Sequence, residues 1–160
     1  MRFLITALLC SLFAGCASTP RQPITSVSIE EIKPRYIETE SFKRISEYMS
    51  GKENLGDRVV LRTQPQERAG YYFTLILDTD VRRLPAGTVV VGEFYTKKSV
   101  EKQTHEFTLP NKRPSTKEIF VGLTGADWPE DSGVPAAWKF SLKDANGQLL
   151  GAKQSYLWSL

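Results

Sequence analysis

The chain has 160 residues, with 21 lysines and arginines against 18 aspartates and glutamates, and a formal net charge of +3. This length suits one domain of ordinary size. The nearly balanced charge gives no reason to expect a nucleic-acid partner, because nucleic-acid-binding proteins carry strongly basic patches or stripes.

The first 15 residues have the layout of an export signal. Arg2 supplies a positive charge, and residues 3–13 form an almost unbroken apolar run. This run is shorter than the roughly 20 residues that a helix needs to cross a bilayer. A charged start, a short apolar core and small residues at the end predict a secretory signal peptide over 1–15.

The residues that end this signal are Ala14, Gly15 and Cys16. They resemble the bacterial lipobox, in which Leu, a small residue, Gly or Ala, and Cys follow one another; Phe13 stands where Leu is usual. The resemblance implies that Cys16 is acylated and becomes the first residue of the mature chain. Several acyl chains anchor a protein stably where one is marginal. An ordinary cleaved signal with a free Cys16 is the alternative.

Lipidation would account for both cysteines, because Cys10 leaves with the signal and Cys16 carries lipid. The mature chain would then have 145 residues, a net charge of +2 and no thiol for disulfides, catalysis or metal binding. Ala17 and Ser18 follow Cys16, with no aspartate beside it. In Gram-negative lipoproteins this resembles the default of transfer to the outer membrane, with the protein on the periplasmic or surface face.

Residues 16–36 are rich in serine, threonine and proline, which predicts a lipidated cysteine on a flexible tether. A short edge strand over 26–29 is also compatible with the alternation there. Residues 37–56 are predicted to be a helical or irregular lead-in. Apolar residues from Phe42 to Met49 at helical spacing, with Gly51 as a stop, favour one helix over 41–51 that covers an end of the sheet; a strand is the alternative.

From residue 57 the apolar period changes to two. Strands are predicted at 57–62, 70–77, 88–96, 104–109, 117–123, 138–143 and 148–158. Their number and spacing resemble an immunoglobulin-like or fibronectin type III-like domain. We therefore expect an all-β, seven-stranded antiparallel β-sandwich over 57–160, with one short N-terminal helix. Such a fold implies no function by itself.

The sequence offers little for catalysis. His105 is the single histidine, and no nucleophile elbow, zinc motif or glycine-rich nucleotide loop is present. The carboxylates Asp78 and Asp80 lack the glycine and the bidentate glutamate of an EF-hand, so a solvated turn is favoured over a calcium site. We predict no enzyme, no metal and no cofactor.

The long connection from Thr124 to Ala136 is the predicted ligand site, because hairpin loops usually have roughly 2–5 residues. It carries Asp127, Trp128, Glu130 and Asp131. A tryptophan there can stack on a sugar ring or anchor a protein interface, or it can fold back to close the sandwich.

A second, milder feature is a group of cations flanking the middle strands: Lys97, Lys98, Lys102, Lys112, Arg113 and Lys117. They suit anionic polymers or lipid headgroups, although edge-strand solubility is the favoured explanation.

The sequence therefore predicts a lipoprotein, held to the membrane through Cys16, that serves as a non-enzymatic protein-interaction or structural module of the bacterial cell envelope with an envelope protein as partner. The alternative is a module that binds glycan or another envelope polymer through the loop 124–136.

Overall fold

The computed structural model describes residues 24–96, 99–128 and 134–159, and these form a β-sandwich of two four-stranded sheets. The strands are β1 (Ile29–Ile37), β2 (Val59–Arg62), β3 (Gly70–Leu77), β4 (Val89–Thr96), β5 (Ser99–Thr108), β6 (Glu118–Thr124), β7 (Ala137–Lys143) and β8 (Leu149–Gln154). The first sheet has the order β1-β3-β6-β2, and the second has the order β5-β4-β7-β8.

The main core lies between the two sheets. Alternate residues of β3, from Tyr71 to Leu77, point into it together with Phe94 and Phe140. Because the outer face of β3 is covered as well, Tyr72 is also fully buried. The prediction of a central strand that is apolar on both faces is therefore confirmed.

Two parts of the predicted sandwich are wrong. The described residues contain eight strands rather than seven, and β2 runs parallel to β6, with Val59 beside Ile119. All other pairs are antiparallel. The parallel pair arises because the segment 38–58 crosses the outer face of the first sheet before the chain enters β2.

The additional strand is β1, which lies in the segment predicted as tether. It pairs with β3 from Ile29 to Ile37, so the sandwich begins before residue 57 and the tether can extend only to about residue 28. The prediction failed because β1 is a sheet edge with a bulge: its buried apolar residues are Ile29, Ile32 and Ile37. That spacing does not keep the strict period of two by which a strand is recognised.

The segment after β1 contains two short helices instead of the single one predicted over 41–51. A 3₁₀ turn (Thr39–Phe42) is followed by the α-helix α1 (Ile45–Ser50), with Lys43 and Arg44 extended between them. Gly51 ends α1 in a left-handed conformation, at φ 65°, as predicted. The segment covers the outer face of the first sheet rather than an end, because Phe42 packs on Tyr72 at a ring-centroid distance of 4.9 Å.

The sandwich has two ends that matter for function. At the entry end, where the described chain begins, the N–H of Val27 donates a 2.8 Å hydrogen bond to Leu150 O and joins the two sheets. At the far end lie Ile37, Gly70, Thr124 and Ala137. Further 3₁₀ turns are Val81–Arg83, Gly125–Asp127 and Tyr156–Ser159.

Candidate functional site

The helix α1 presents its apolar residues to solvent. Ile45, Tyr48 and Met49 are 87%, 78% and 89% exposed, although their helical spacing predicted a buried face. Adjacent apolar side chains with this exposure are uncommon on a soluble domain and mark interaction sites. This cluster of Ile45, Tyr48 and Met49 is called the α1 apolar face.

The polar side of α1 is the side that holds it to the domain. Arg68 donates a 2.6 Å hydrogen bond to the carboxylate of Glu47, and Asn54 donates to Glu47 from its backbone and to Ser46 Oγ from its side chain. The bond from Arg68 is the main reason that the pKa of the Glu47 carboxyl lies below its usual range. The usual amphipathic arrangement is therefore inverted.

A partly buried ionic network lies next to this attachment. Arg62 donates two hydrogen bonds, of 2.9 and 2.8 Å, to the carboxylate of Glu53, and a third of 2.9 Å to the Tyr72 hydroxyl. The Tyr72 hydroxyl donates in turn to Arg68 O at 2.7 Å. Burial raises the pKa of Tyr72, so its hydroxyl stays protonated as this bond requires. The network therefore holds the backbone of Arg68 in place, and the side chain of Arg68 binds α1.

A cavity of about 380 Å³ lies beside α1, lined in part by Tyr48, Gly51, Gln66 and Glu67. Its size is at the lower end of the range for small-molecule sites. Tyr48 borders both this cavity and solvent, so a partner that covers the α1 apolar face would also reach the cavity.

The predicted ligand residue Trp128 is partly buried. Its ring lies 5.8 Å from the ring of Tyr71 and 5.2 Å from that of Tyr36, and it packs against the main core. Tyr36 is 44% exposed and lies outermost in this stack. Trp128 is therefore an integral part of the far end, and Tyr36 is the more accessible ring.

The loop that carries Trp128 is fixed at its start. Buried Thr124 exchanges 3.0 Å hydrogen bonds with the backbone of Gln64 through its hydroxyl, and Gly125 takes a positive φ of 57° against the Gln64 side chain. Asp127 is half-buried at the end of the following 3₁₀ turn. The other predicted site residues, Glu130, Asp131 and Cys16, lie outside the described residues, so their proximity to Trp128 stays a prediction.

The remaining titratable candidates are part of the fold. Asp80 caps the 3₁₀ turn Val81–Arg83 and accepts hydrogen bonds from Ser115 Oγ and from Arg82. These bonds, led by that of Ser115, lower the pKa of the Asp80 carboxyl to about 2. His105 faces inward near Phe94 and Phe107, and its Nε2 atom is buried without a hydrogen-bond partner among the described residues.

No family model matches the chain, and no curated protein matches its sequence. Within the described part of the chain, no helix is long and apolar enough to cross a membrane. The same residues contain no group of three or more histidine, cysteine, aspartate or glutamate side chains placed to hold a metal ion.

Sequence reasoning found the residues of the α1 apolar face but predicted the opposite direction for them. The side chains that determine the direction, Glu47 and Arg68, are 21 positions apart, and neither has a neighbour in sequence that signals the contact. The acidic Glu47 within the apolar stretch was the one sequence feature that indicated a polar contact on this helix.

Proposed function

We propose that the protein is a lipid-anchored, non-enzymatic interaction module of the bacterial cell envelope that docks a partner protein on the α1 apolar face. The observation that carries the docking role is the inverted helix. Burying Ile45, Tyr48 and Met49 against a partner would stabilise a complex by roughly 1.5–3 kcal/mol for each side chain fully buried, before the cost of association is subtracted.

The surroundings of α1 indicate the chemistry of that partner. Arg44 and Lys52 flank the helix and are exposed, and neither pairs with a carboxylate of the described residues. A partner with an apolar groove and an acidic rim would complement both features, since charged rims mainly guide association and an apolar centre supplies affinity.

The position of α1 suits an anchored protein. The described chain begins at the entry end, while α1 lies toward the far end beside Arg68, so the nine residues of β1 separate the two by about 25–30 Å. A lipid on Cys16 would hold the entry end near the membrane, which in our proposal is the outer membrane. The helix α1 would then lie farther from the membrane, where a partner can reach it.

We also infer that the sandwich is immunoglobulin-like. The order β5-β4-β7-β8 corresponds to the C′-C-F-G order of that class, and β1-β3-β6 corresponds to A-B-E. The strand β2 takes the edge position that strand D usually has. A non-enzymatic role is inferred from the single histidine and from cysteines confined to the first 16 residues.

The test is site-specific photo-crosslinking of the full-length protein in native membranes. A photoreactive phenylalanine replaces Met49, and a control protein carries it at exposed Tyr156, which lies at the far end but away from α1. We expect one discrete crosslinked protein from position 49 that is lost in the variant Ile45→Ser/Tyr48→Ser. A Cys16→Ser variant tests the anchor and should reduce the yield.

Two results would contradict the docking proposal. One is the absence of a discrete product from position 49 although the protein is folded and membrane-bound. The other is equal products from positions 49 and 156, which would indicate random collision. A product with twice the mass of the chain would identify a second copy and overturn the choice of a different protein as partner.

The second candidate function is glycan binding at the loop 124–136, and the exposed ring of Tyr36 beside Trp128 favours it. Aromatic rings at a sandwich end can stack on sugars. This proposal expects tryptophan fluorescence to shift on addition of peptidoglycan fragments or capsular polysaccharide, and the shift to be weaker in Tyr36→Ala. No shift with any of these polymers in the folded protein would exclude it.

A further inference from the structure

A second cavity, of about 390 Å³, lies at the entry end between the segment before β2 and the segment after β5. Its apolar lining consists of Leu55, Val59, Val60, Pro110 and Pro114. Val59 is buried, while the two prolines and Leu55 form the accessible rim. The volume lies within the range of about 300–1,000 Å³ that is typical of small-molecule sites.

All charged residues that line this cavity are cations: Arg58, Lys112 and Arg113. Within the described part of the chain, no carboxylate forms an ion pair with any of the three. By contrast, Arg62 and Arg68 are both neutralised by glutamates. The cavity therefore combines apolar surface with uncompensated positive charge.

Two of the cations are held in place by groups that carry no net charge. Arg113 donates to the backbone oxygens of Leu84 and Pro85 at 3.0 and 3.4 Å. Arg58 lies 5.9 Å from the centre of the Phe120 ring and donates to Ser41 O at 3.5 Å. Such contacts orient a guanidinium without cancelling its charge, which leaves it able to bind an anion.

A fourth cation, Arg44, packs on a residue of the cavity wall. Gly56, in the cavity wall, has a φ of 58°, and the guanidinium of Arg44 packs so closely over it that a Cβ would overlap. Asp57 lies between Gly56 and Arg58 in the sequence, but its exposed carboxylate does not line the cavity. The charges that line the cavity itself therefore favour an anionic ligand.

We propose that this cavity binds an anionic amphiphile, with a phosphate or carboxylate group between Arg58, Lys112 and Arg113 and an apolar chain on Leu55 and Val60. A phospholipid of the bilayer and a soluble acyl phosphate share this chemistry. The site is distinct from the α1 apolar face, because none of Ile45, Tyr48 and Met49 lines the cavity.

The test is calorimetric titration of the full-length protein in phosphatidylcholine nanodiscs with hexyl phosphate, with empty nanodiscs as the blank. Hexanol and inorganic phosphate each supply half of the proposed ligand. We expect hexyl phosphate to bind at least about tenfold more tightly than either, because the proposal requires both contacts.

The variant Lys112→Gln should weaken hexyl phosphate binding about tenfold, since it removes one charge-assisted contact. Lys112 is exposed and supports no other group, so the fold should be unchanged. Lys117→Gln removes the same charge from an exposed position at the entry end outside the cavity and should leave the affinity unchanged. Equal losses in the two variants, or equal affinity for hexyl phosphate and hexanol, would overturn the proposal.

A second arm of the experiment distinguishes a bilayer phospholipid from a soluble amphiphile as the ligand. Phosphatidylglycerol in the nanodiscs should compete with hexyl phosphate if the cavity takes bilayer lipid, and competition must again be weaker in Lys112→Gln than in Lys117→Gln. Unchanged hexyl phosphate affinity assigns the cavity to a soluble amphiphile.

Discussion

Arg68 and Glu47 join the segment before β3 to the middle of α1 through a hydrogen bond of 2.6 Å, and the same guanidinium lies 3.5 Å from Glu53. None of the residues of α1 is buried in the core. The direction of the α1 apolar face is therefore fixed by this polar contact and not by packing. The helix therefore depends on polar contacts for its position, and it can be released without disturbing the sandwich.

The variant Arg68→Met should loosen α1 while leaving the sheets intact. Hydrogen exchange should become faster at the Gly51 amide, which donates to Glu47 O, but not at amides of β3 and β6. The control is Arg83→Met, which removes an exposed arginine that has no ion pair among the described residues. Unchanged exchange at Gly51 in Arg68→Met would show that the ion pair does not hold the helix.

Asp80 should make the protein less stable in acid. Its folded pKa of about 2 lies below its ordinary value of 3.8, so its contribution to stability is present above pH 3.8 and is lost as the pH falls toward 2. The carboxylate is accessible to solvent, so we expect about 1 kcal/mol or less. Urea unfolding at pH 6 and pH 2.5 should show a smaller difference for Asp80→Asn than for the parent.

The matched control for that experiment is Asp78→Asn, because the exposed Asp78 side chain accepts no hydrogen bond from the described residues. It should retain the pH dependence of the parent. A loss of pH dependence in both variants would assign the effect to overall charge.

Gly122→Ala should destabilise the sandwich strongly. Gly122 lies opposite Tyr72 in the β3–β6 pair, and a Cβ would overlap the Tyr72 ring, which is fully buried and cannot move. We expect the free energy of unfolding to fall by about 2–3 kcal/mol. Gly51→Ala, where a Cβ meets no atom but φ is 65°, should cost about 1 kcal/mol from backbone strain alone. Equal costs in urea unfolding would show that the contact with Tyr72 relaxes.

Trp128→Ala should lower the free energy of unfolding by about 2–3 kcal/mol, because the ring packs on Tyr36, Tyr71 and the main core. Tyr156→Ala, at a side chain that is 83% exposed, should change it by less than about 0.5 kcal/mol. If chemical denaturation gives similar small values for both, Trp128 contributes little to the fold and the glycan proposal gains weight.

Local sequence signals predicted the parts of the fold that depend on neighbouring residues. The strand β7 was confirmed where the alternation of Trp138, Phe140 and Leu142 predicts it, but Ser141, on the face predicted to be exposed, is buried. The predicted turn at Gly147 was confirmed: its φ is 81°, and Asp144 accepts hydrogen bonds from Asn146 and Gln148. The strand β5 begins at Ser99, earlier than the predicted 104, because its exposed polar residues conceal an edge strand.

Features that depend on distant residues could not be predicted. The strand β1 is defined by pairing with β3, and the parallel direction of β2 is defined by pairing with β6. The candidate site divides in the same way. The apolar residues of α1 and the aromatic Trp128 were identified, but their directions depend on Arg68 and on Tyr36 and Tyr71, which no local pattern connects to them.

The parallel pairing of β2 has a consequence for the order of folding. Val59 lies beside Ile119, 60 residues later in the chain, so β2 has no hydrogen-bonded neighbour until β6 has been synthesised. Until then Phe42 of the segment 38–58 has Ile37 and Tyr72 to pack on but lacks Phe120 of β6. Contacts of such long range slow folding and leave an edge open to pairing with other chains. The strand β2 has only four residues. Its unpaired edge is therefore short, which limits how well another chain can pair with it before β6 has been synthesised.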